Sequence, residues 1–213
     1  MKTILLLDDH MVIRTGLRAM LNDYYSQLNI LDAQDETEAL QAMRLHRIDL
    51  VIMDLQVPNA DVIGLIEMVT IKYPQTTILV FSMLPERIYA RRVFRAGASG
   101  YLPKDSPPIE IKKAFDLALQ QKKYLSPVMQ EVLSNDTGNN AADNPFDRLS
   151  HREFLIVNLL LGGNSITGIA HRLNIRPSTV GTYKTRIFEK LKVNTVFELK
   201  EMAVLYDLHP NAV

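Results

Sequence analysis

Ile4-Leu5-Leu6-Leu7-Asp8-Asp9 begins as an apolar run and ends on two carboxylates, and Leu50-Val51-Ile52-Met53-Asp54 repeats the pattern with one. Short runs without polar alternation suit strands buried on both faces, as in a parallel sheet covered by helices. A polar residue has to stop such a strand somewhere, which explains one terminal Asp better than three. Three of them place negative charge at the carboxyl edge of a sheet, where open α/β folds bind their ligands.

Working outward, further apolar runs lie near 28–33, 78–81 and 99–102, and segments of helical period near 11–24, 36–46, 62–72, 86–96 and 107–122. Five strands separated by helices predict an α/β doubly wound five-stranded parallel sheet, its helices on both faces through right-handed crossovers. From Ser134 to Asn144 the chain is almost devoid of large apolar groups and rich in turn formers, the composition of a flexible linker. Beyond it, helical segments near 151–161, 165–173, 178–191 and 195–206 predict a small all-α four-helix domain. The expected division is residues 1–125, a linker over 126–147, and 148–213.

The chain has 213 residues and no cysteine, which excludes a disulfide framework and thiolate metal sites and fits a reducing compartment. No apolar run approaches a membrane span and no leader pattern opens the chain, so a soluble, cytoplasmic protein without membrane contact is expected. The formal net charge of +0 hides an asymmetry. Residues 1–147 carry 15 Lys/Arg against 19 Asp/Glu, and residues 148–213 carry 9 against 5. An acidic front and a basic back point to different partners.

Magnesium prefers oxygen donors and keeps several waters, so one or two carboxylates suit it. Asp9 and Asp54 are the expected direct ligands, with Asp8 orienting a water. Asp54 can also serve as a nucleophile toward a phosphoryl group, leaving an acyl phosphate on the protein. At two further strand ends, Ser82 offers a hydroxyl to a phosphoryl oxygen and Lys104 a fixed positive charge.

Taken with Pro58, Ser82-Met83, the run Arg95-Ala96-Gly97-Ala98-Ser99-Gly100-Tyr101-Leu102 and Lys104-Asp105, these residues make positions 1–125 resemble the CheY-like receiver domain of bacterial response regulators. The resemblance implies phosphotransfer from a sensor histidine kinase to Asp54, with Mg²⁺ held by Asp9, Asp54 and the backbone carbonyl of Gln56. It also implies that Ser82 and Lys104 read the phosphoryl group and that Tyr101 turns inward as a switch. The kinase would meet the start of the first helix, around Met11, Ile13 and Arg14. His10 is assigned no role. Two departures stand out: Asn59-Ala60-Asp61-Val62-Ile63 separate Pro58 from Gly64, where the family places a glycine sooner, and Pro103 precedes Lys104 where the family has Lys-Pro.

Residues 149–199 resemble the LuxR-type helix-turn-helix of NarL/FixJ response regulators, through Leu149-Ser150-His151-Arg152-Glu153, Gly163, Ile169-Ala170, Leu173, Ile175, Thr179-Val180, Ile187, Lys190-Leu191, Val193 and Glu198-Leu199. Val180, Ile187 and Leu191 share one helical face, the expected core side. Arg176, Thr179, Thr182, Tyr183, Lys184, Thr185, Arg186 and Lys190 are the expected DNA contacts, with a helix in the major groove of promoter double-stranded DNA. This sequence has Gly181 and Tyr183 where the family usually has lysine and histidine. Gly168 removes the reciprocal capping box expected after Ser165, and Arg176 replaces a capping serine before Pro177, so the two docking helices should be loosened.

In the last helix, Val196, Leu199, Met202, Ala203 and Tyr206 recur at helical spacing. The resemblance uses this helix for self-association; packing on its own domain explains the stripe equally well. The resulting expectation is a transcription factor, not an enzyme, that forms a homodimer on phosphorylation. A constitutive DNA-binding regulator with an unused receiver and a phosphoaspartyl hydrolase are the alternatives.

Overall fold

The apolar runs form five parallel strands ordered β2-β1-β3-β4-β5. In chain order they are β1 (Lys2–Leu7), β2 (Leu28–Ala33), β3 (Leu50–Met53), β4 (Thr77–Ser82) and β5 (Gly100–Pro103). The computed structural model describes residues 1–58, 60–134, 144–206 and 208. Helices α1 (Met11–Tyr24), α2 (Glu36–Leu45), α3 (Val62–Lys72), α4 (Glu86–Ala96) and α5 (Pro108–Leu119) follow the strands in turn. Every strand boundary lies within two residues of the one expected from the apolar runs.

The pleat divides the sheet residues between two cores. Ile4, Leu6, Ile52, Leu79, Phe81 and Leu102 pack with Leu17 and Leu21 of α1 and Ile111 and Phe115 of α5. Leu5, Val51 and Val80, one step out of phase, are 0% exposed on the opposite face, the side of α2 and α4. Burial on both faces is why these strands read as unbroken apolar runs.

Strand order reverses between β1 and β3. Leu7 pairs with Met53 and Met53 with Val80, so Asp8 and Asp54 leave the sheet side by side and Ser82 leaves β4 just beyond. The Asp54 amide donates to the Leu7 carbonyl at 2.8 Å, which locks that register.

The segment 126–147, expected to be linker, contains a helix. Helix α6 (Pro127–Ser134) packs against α4 within a compact unit that runs from Met1 to Asp136. Ser126 caps it by accepting from the Met129 amide at 2.9 Å, while its hydroxyl donates to the Glu86 carboxylate on α4. The Ser134–Asn144 stretch read as flexible lies, apart from its two ends, outside the described residues.

Among its described residues the second unit holds a short 3-10 turn (Pro145–Arg148) and four helices: α7 (His151–Leu161), α8 (Ile166–Arg172), α9 (Pro177–Leu191) and α10 (Val196–Leu205). Ser150 and Glu153 form a reciprocal capping box at α7. The Glu153 carboxylate also takes an ion pair from Lys190 at 2.7 Å. Burial pushes the Glu153 carboxyl up, but Lys190 and the Ser150 hydrogen bonds outweigh it and hold it below the ordinary glutamate range. Asn174 turns the chain between α8 and α9 at φ 49°, a left-handed conformation that Asn tolerates.

Candidate functional site

At the sheet's carboxyl edge one cation sits between two buried anions. Lys104 Nζ lies 2.6 Å from Asp8 Oδ2 and 2.8 Å from Asp54 Oδ2, and the three side chains are 7%, 3% and 1% exposed. Burial pulls the Lys104 ammonium down, but the hydrogen bonds and charges of Asp54 and Asp8 prevail and hold it above the ordinary lysine range. Asp54 Oδ1 is buried without a hydrogen-bond partner. Asp9 stands at the mouth, its side chain 30% exposed, with His10 Nδ1 2.8 Å from its Oδ1.

One ligand atom from each of Asp8, Asp9, His10 and Asp54 can be chosen so that all lie within 4.8 Å of one another. Three carboxylates against the Lys104 ammonium and the Arg14 guanidinium at the Asp8 carbonyl still leave the pocket short of positive charge, and hard oxygen donors with an orphaned Asp54 Oδ1 suit a cation such as Mg²⁺. The donor set thus fits the metal that the sequence implied. His10 was passed over in the sequence. Its backbone amide and ring both reach Asp8 Oδ1, at 2.8 and 3.3 Å, a contact made by the tight exit from β1.

Ser82 is fully buried at the end of β4. Its hydroxyl accepts weakly from the Leu84 amide at 3.4 Å. Tyr101, on β5, is 1% exposed and its hydroxyl donates to the Leu84 carbonyl at 2.6 Å. Burial raises the Tyr101 phenol far above its ordinary range, against a smaller downward pull from Ser82. The loop after Ser82 is therefore held from two strands. Gln56, two residues past Asp54, has an exposed side chain.

The departure after Pro58 has a local explanation. Gly64 lies inside the first turn of α3, and Asp61 caps that helix by accepting from the Gly64 amide at 3.1 Å. A Cβ at Gly64 would meet the Asp61 carboxylate at 3.0 Å, so the glycine makes room for the cap. Of the three residues placed at a kinase contact, Met11 is 69% exposed. Ile13 packs on the core, and Arg14 donates to the Asp8 carbonyl.

In the second unit, Val180, Ile187 and Leu191 of α9 are buried, as their spacing predicts. Arg176, Thr182, Thr185, Arg186 and Lys190 are exposed, while Thr179, Tyr183 and Lys184 are partly buried. Ser178, Thr179, Thr182, Tyr183 and Arg186 line one concave surface. Two expected cations are engaged inside the domain: Lys184 Nζ lies 5.2 Å from the Phe188 ring centre, and Lys190 holds Glu153. Ser165 caps α8 through the Gly168 amide at 3.1 Å without a return bond, and Arg176 supplies no side-chain cap to α9. The α10 stripe faces inward, Leu199 and Ala203 being buried and Tyr206 edge-on to Phe146. The outward apolar groups of that helix are instead Phe197, Val204 and Leu205.

Comparison with known proteins assigns a family to each unit. The response regulator receiver domain family matches residues 4–116, and the luxR family of bacterial regulatory proteins matches residues 147–203. The chain is 30% identical over 205 residues to the response regulator GacA of Pseudomonas protegens (strain DSM 19095 / LMG 27888 / CFBP 6595 / CHA0), covering 96% of each. It is 34% identical over 210 residues to the oxygen regulatory protein NreC of Staphylococcus carnosus (strain TM300), covering 94% of this chain and 96% of that one. A solved structure of RcsB from Salmonella enterica serovar Typhimurium, bound to promoter rprA with phosphomimetic BeF3-, shares the fold. Its TM-score is 0.66 at 23% identity, over 94% of this chain and 97% of that one. With a receiver match, a luxR match and relatives aligned along nearly the whole length, the chain belongs to the two-component response regulators of the NarL/FixJ type, which join a receiver to a LuxR-type DNA-binding domain and regulate transcription.

Proposed function

We propose that Asp54 accepts a phosphoryl group from the phosphohistidine of a sensor kinase and that this event governs homodimerisation and promoter binding in the cytoplasm. The observation that carries this reading is the pairing of Lys104 with Asp8 and Asp54 while Asp54 Oδ1 remains unpartnered. That oxygen attacks phosphorus, the P–N bond to the donor imidazole breaks, and the leaving imidazole takes up a proton. Lys104 keeps its charge beside the new acyl phosphate, and the Ser82 hydroxyl donates to a phosphoryl oxygen. Asp9, Asp54 and the Gln56 carbonyl would hold Mg²⁺, with Asp8 orienting a water; when bound, the ion neutralises charge on the phosphoryl oxygens.

Drawing Ser82 toward the phosphoryl group strains the Leu84 segment, which Tyr101 also holds. This is a local charge event acting on an element with alternative positions, which suits Tyr101 to a switch. A phosphoaspartyl hydrolase that carries its general acid or base two residues past the nucleophile would find only the amide of Gln56 there, and Asp8, Asp9 and His10 beside Asp54 are engaged with Lys104 and with one another. This favours a phosphorylated switch over an enzyme with turnover.

In the second unit, Arg176 and Arg186 contact phosphates or bases, and Thr179, Thr182, Tyr183 and Thr185 present polar and methyl groups to the major groove. Lys184 and Lys190 contribute charge at the flanks. The test is intact-mass measurement after incubation with acetyl phosphate and Mg²⁺, comparing the wild-type chain with Asp54→Asn. One Mg²⁺-dependent phosphoryl adduct, absent from Asp54→Asn, is the expected result. An unmodified wild-type chain overturns the proposal, and continuous phosphate release points to the hydrolase.

A further inference from the structure

We infer that α9 reads thymine, through the methyl groups of Thr182 and Thr185 set against thymine C5-methyls in the major groove. This rests on the DNA-binding reading and specifies what that surface selects. At about 100° per residue, Thr182 and Thr185 fall within about 40° of the pole opposite the buried Val180. Both are exposed. With Ser178 one turn before them and Glu189 one turn after, they make up the face of the helix turned away from its own core.

Threonine carries two groups on Cβ, and here the helix has claimed one of them. Thr182 Oγ1 donates to the Ser178 carbonyl at 3.1 Å, and Thr185 Oγ1 donates to the Gly181 carbonyl at 3.2 Å. With each hydroxyl hydrogen committed to the backbone, the oxygen can only accept, and the methyl is the apolar group left to face a ligand. Thymine alone among the bases shows a methyl in the major groove, and apolar contact with it is an established mode of base reading.

The surroundings support an apolar reading head. Gly181 flanks the pair with no side chain, and a Cβ there would meet nothing within 4 Å, so the domain's packing does not call for this glycine. Its bareness leaves the methyl pair unscreened. Lys184 and Lys190, which could have presented ammonium groups to guanine, are turned to Phe188 and Glu153. Arg186 is the exposed cation that remains beside the pair, as a phosphate or guanine contact.

The test uses the full chain with beryllofluoride and Mg²⁺ to select duplexes from a random pool, followed by fluorescence anisotropy on the most enriched duplex. Deoxyuridine, which lacks only the C5-methyl, replaces each thymidine in turn. Affinity should fall about fourfold for each methyl that a threonine covers. Thr182→Ser and Thr185→Ser keep the hydroxyl and lose the methyl. Each should show the same loss on the natural duplex and become insensitive to uracil at its own position. Thr182→Val, which keeps a methyl and loses the hydroxyl, should retain the sensitivity. An enriched duplex that tolerates uracil everywhere overturns the inference, as do serine variants that remain fully uracil-sensitive. Failure to enrich any duplex overturns the DNA-binding reading itself.

Discussion

Replacing Lys104 by methionine keeps most of the side-chain volume and removes the one ammonium between Asp8 and Asp54. Removing one partner of a buried ion pair costs about 3–5 kcal/mol, because a buried charge is left unmatched. Here two carboxylates lose their counter-charge, with side-chain exposures of 3% and 1%. The 30% exposure of Asp9 admits water at the mouth and favours the lower end of the range, about 3 kcal/mol. For a unit of this size that is a fall in melting temperature of about 10 °C, read by circular dichroism in the presence of EDTA. Mg²⁺ should then narrow the gap, because without Lys104 the pocket holds one more uncompensated negative charge and binds a divalent cation more tightly. Free Mg²⁺ at about 100 times its dissociation constant returns about 2.7 kcal/mol. A loss below about 1 kcal/mol in EDTA, or equal stabilisation of both proteins by Mg²⁺, refutes the reasoning.

Glu86 is buried against Ser126, and burial raises its pKa, with the Ser126 hydrogen bond and the Arg87 charge pulling the other way. Its folded pKa lies above the unfolded one, so its contribution is fully present below the ordinary glutamate range and is lost as pH rises through the raised value. Glu86→Gln, which can still accept from Ser126, should therefore be more stable than wild type at about pH 8 and equal to it at about pH 4, by urea unfolding. Tyr101→Phe removes the 2.6 Å bond to the Leu84 carbonyl and should cost about 1–2 kcal/mol while Asp54 is still phosphorylated to the same extent by mass. Gly181→Ala should raise the stability of the helical unit by about 0.5–1 kcal/mol in thermal unfolding, since the added Cβ meets nothing within 4 Å.

The sheet was legible because burial on both faces erases polar alternation, leaving runs such as Ile4–Leu7 and Leu50–Met53 with no competing interpretation. The three aspartates were legible for the same reason, Asp8 and Asp9 ending one run and Asp54 the other. Contacts set by tertiary register were not. Nothing in the sequence tells that Lys104 bridges Asp8 as well as Asp54, because that depends on the pairing of β4 with β5 and of β1 with β3. The Lys190–Glu153 pair spans 37 residues and turns an expected DNA contact partly inward. Helix α6 was hidden by its eight-residue length and its leading Ser126-Pro127, which reads equally well as a cap or as a turn. On α10 the stripe was read correctly but its role was open between self-association and packing on its own domain, and Leu199 and Ala203 are buried in that domain's own core.

The distribution of helix caps ties these observations together. Side chains cap α2 through Asp35, α3 through Asp61, α6 through Ser126, α7 through Ser150, α8 through Ser165 and α10 through Thr195. Helices α1, α4, α5 and α9 have no side-chain cap. Three of these four begin within a few residues of the pocket: α1 just after Asp9, α4 after Ser82 and α5 after Lys104. The fourth, α9, begins just after Arg176 and is the helix proposed to enter the groove. A missing cap costs about 1 kcal/mol, so four together are a substantial sacrifice for marginally stable units. Their placement accounts for it: an uncapped helix start keeps its positive dipole end and first-turn amides unclaimed by side chains, which favours nearby anions. At the pocket that bias would offset part of the repulsion among Asp8, Asp9 and Asp54 and, after the proposed transfer, would act on the phosphoryl group. At α9 the same vacancy would face the phosphates of DNA in the proposed complex. The chain is thus least satisfied within itself where each of its two proposed ligands carries negative charge.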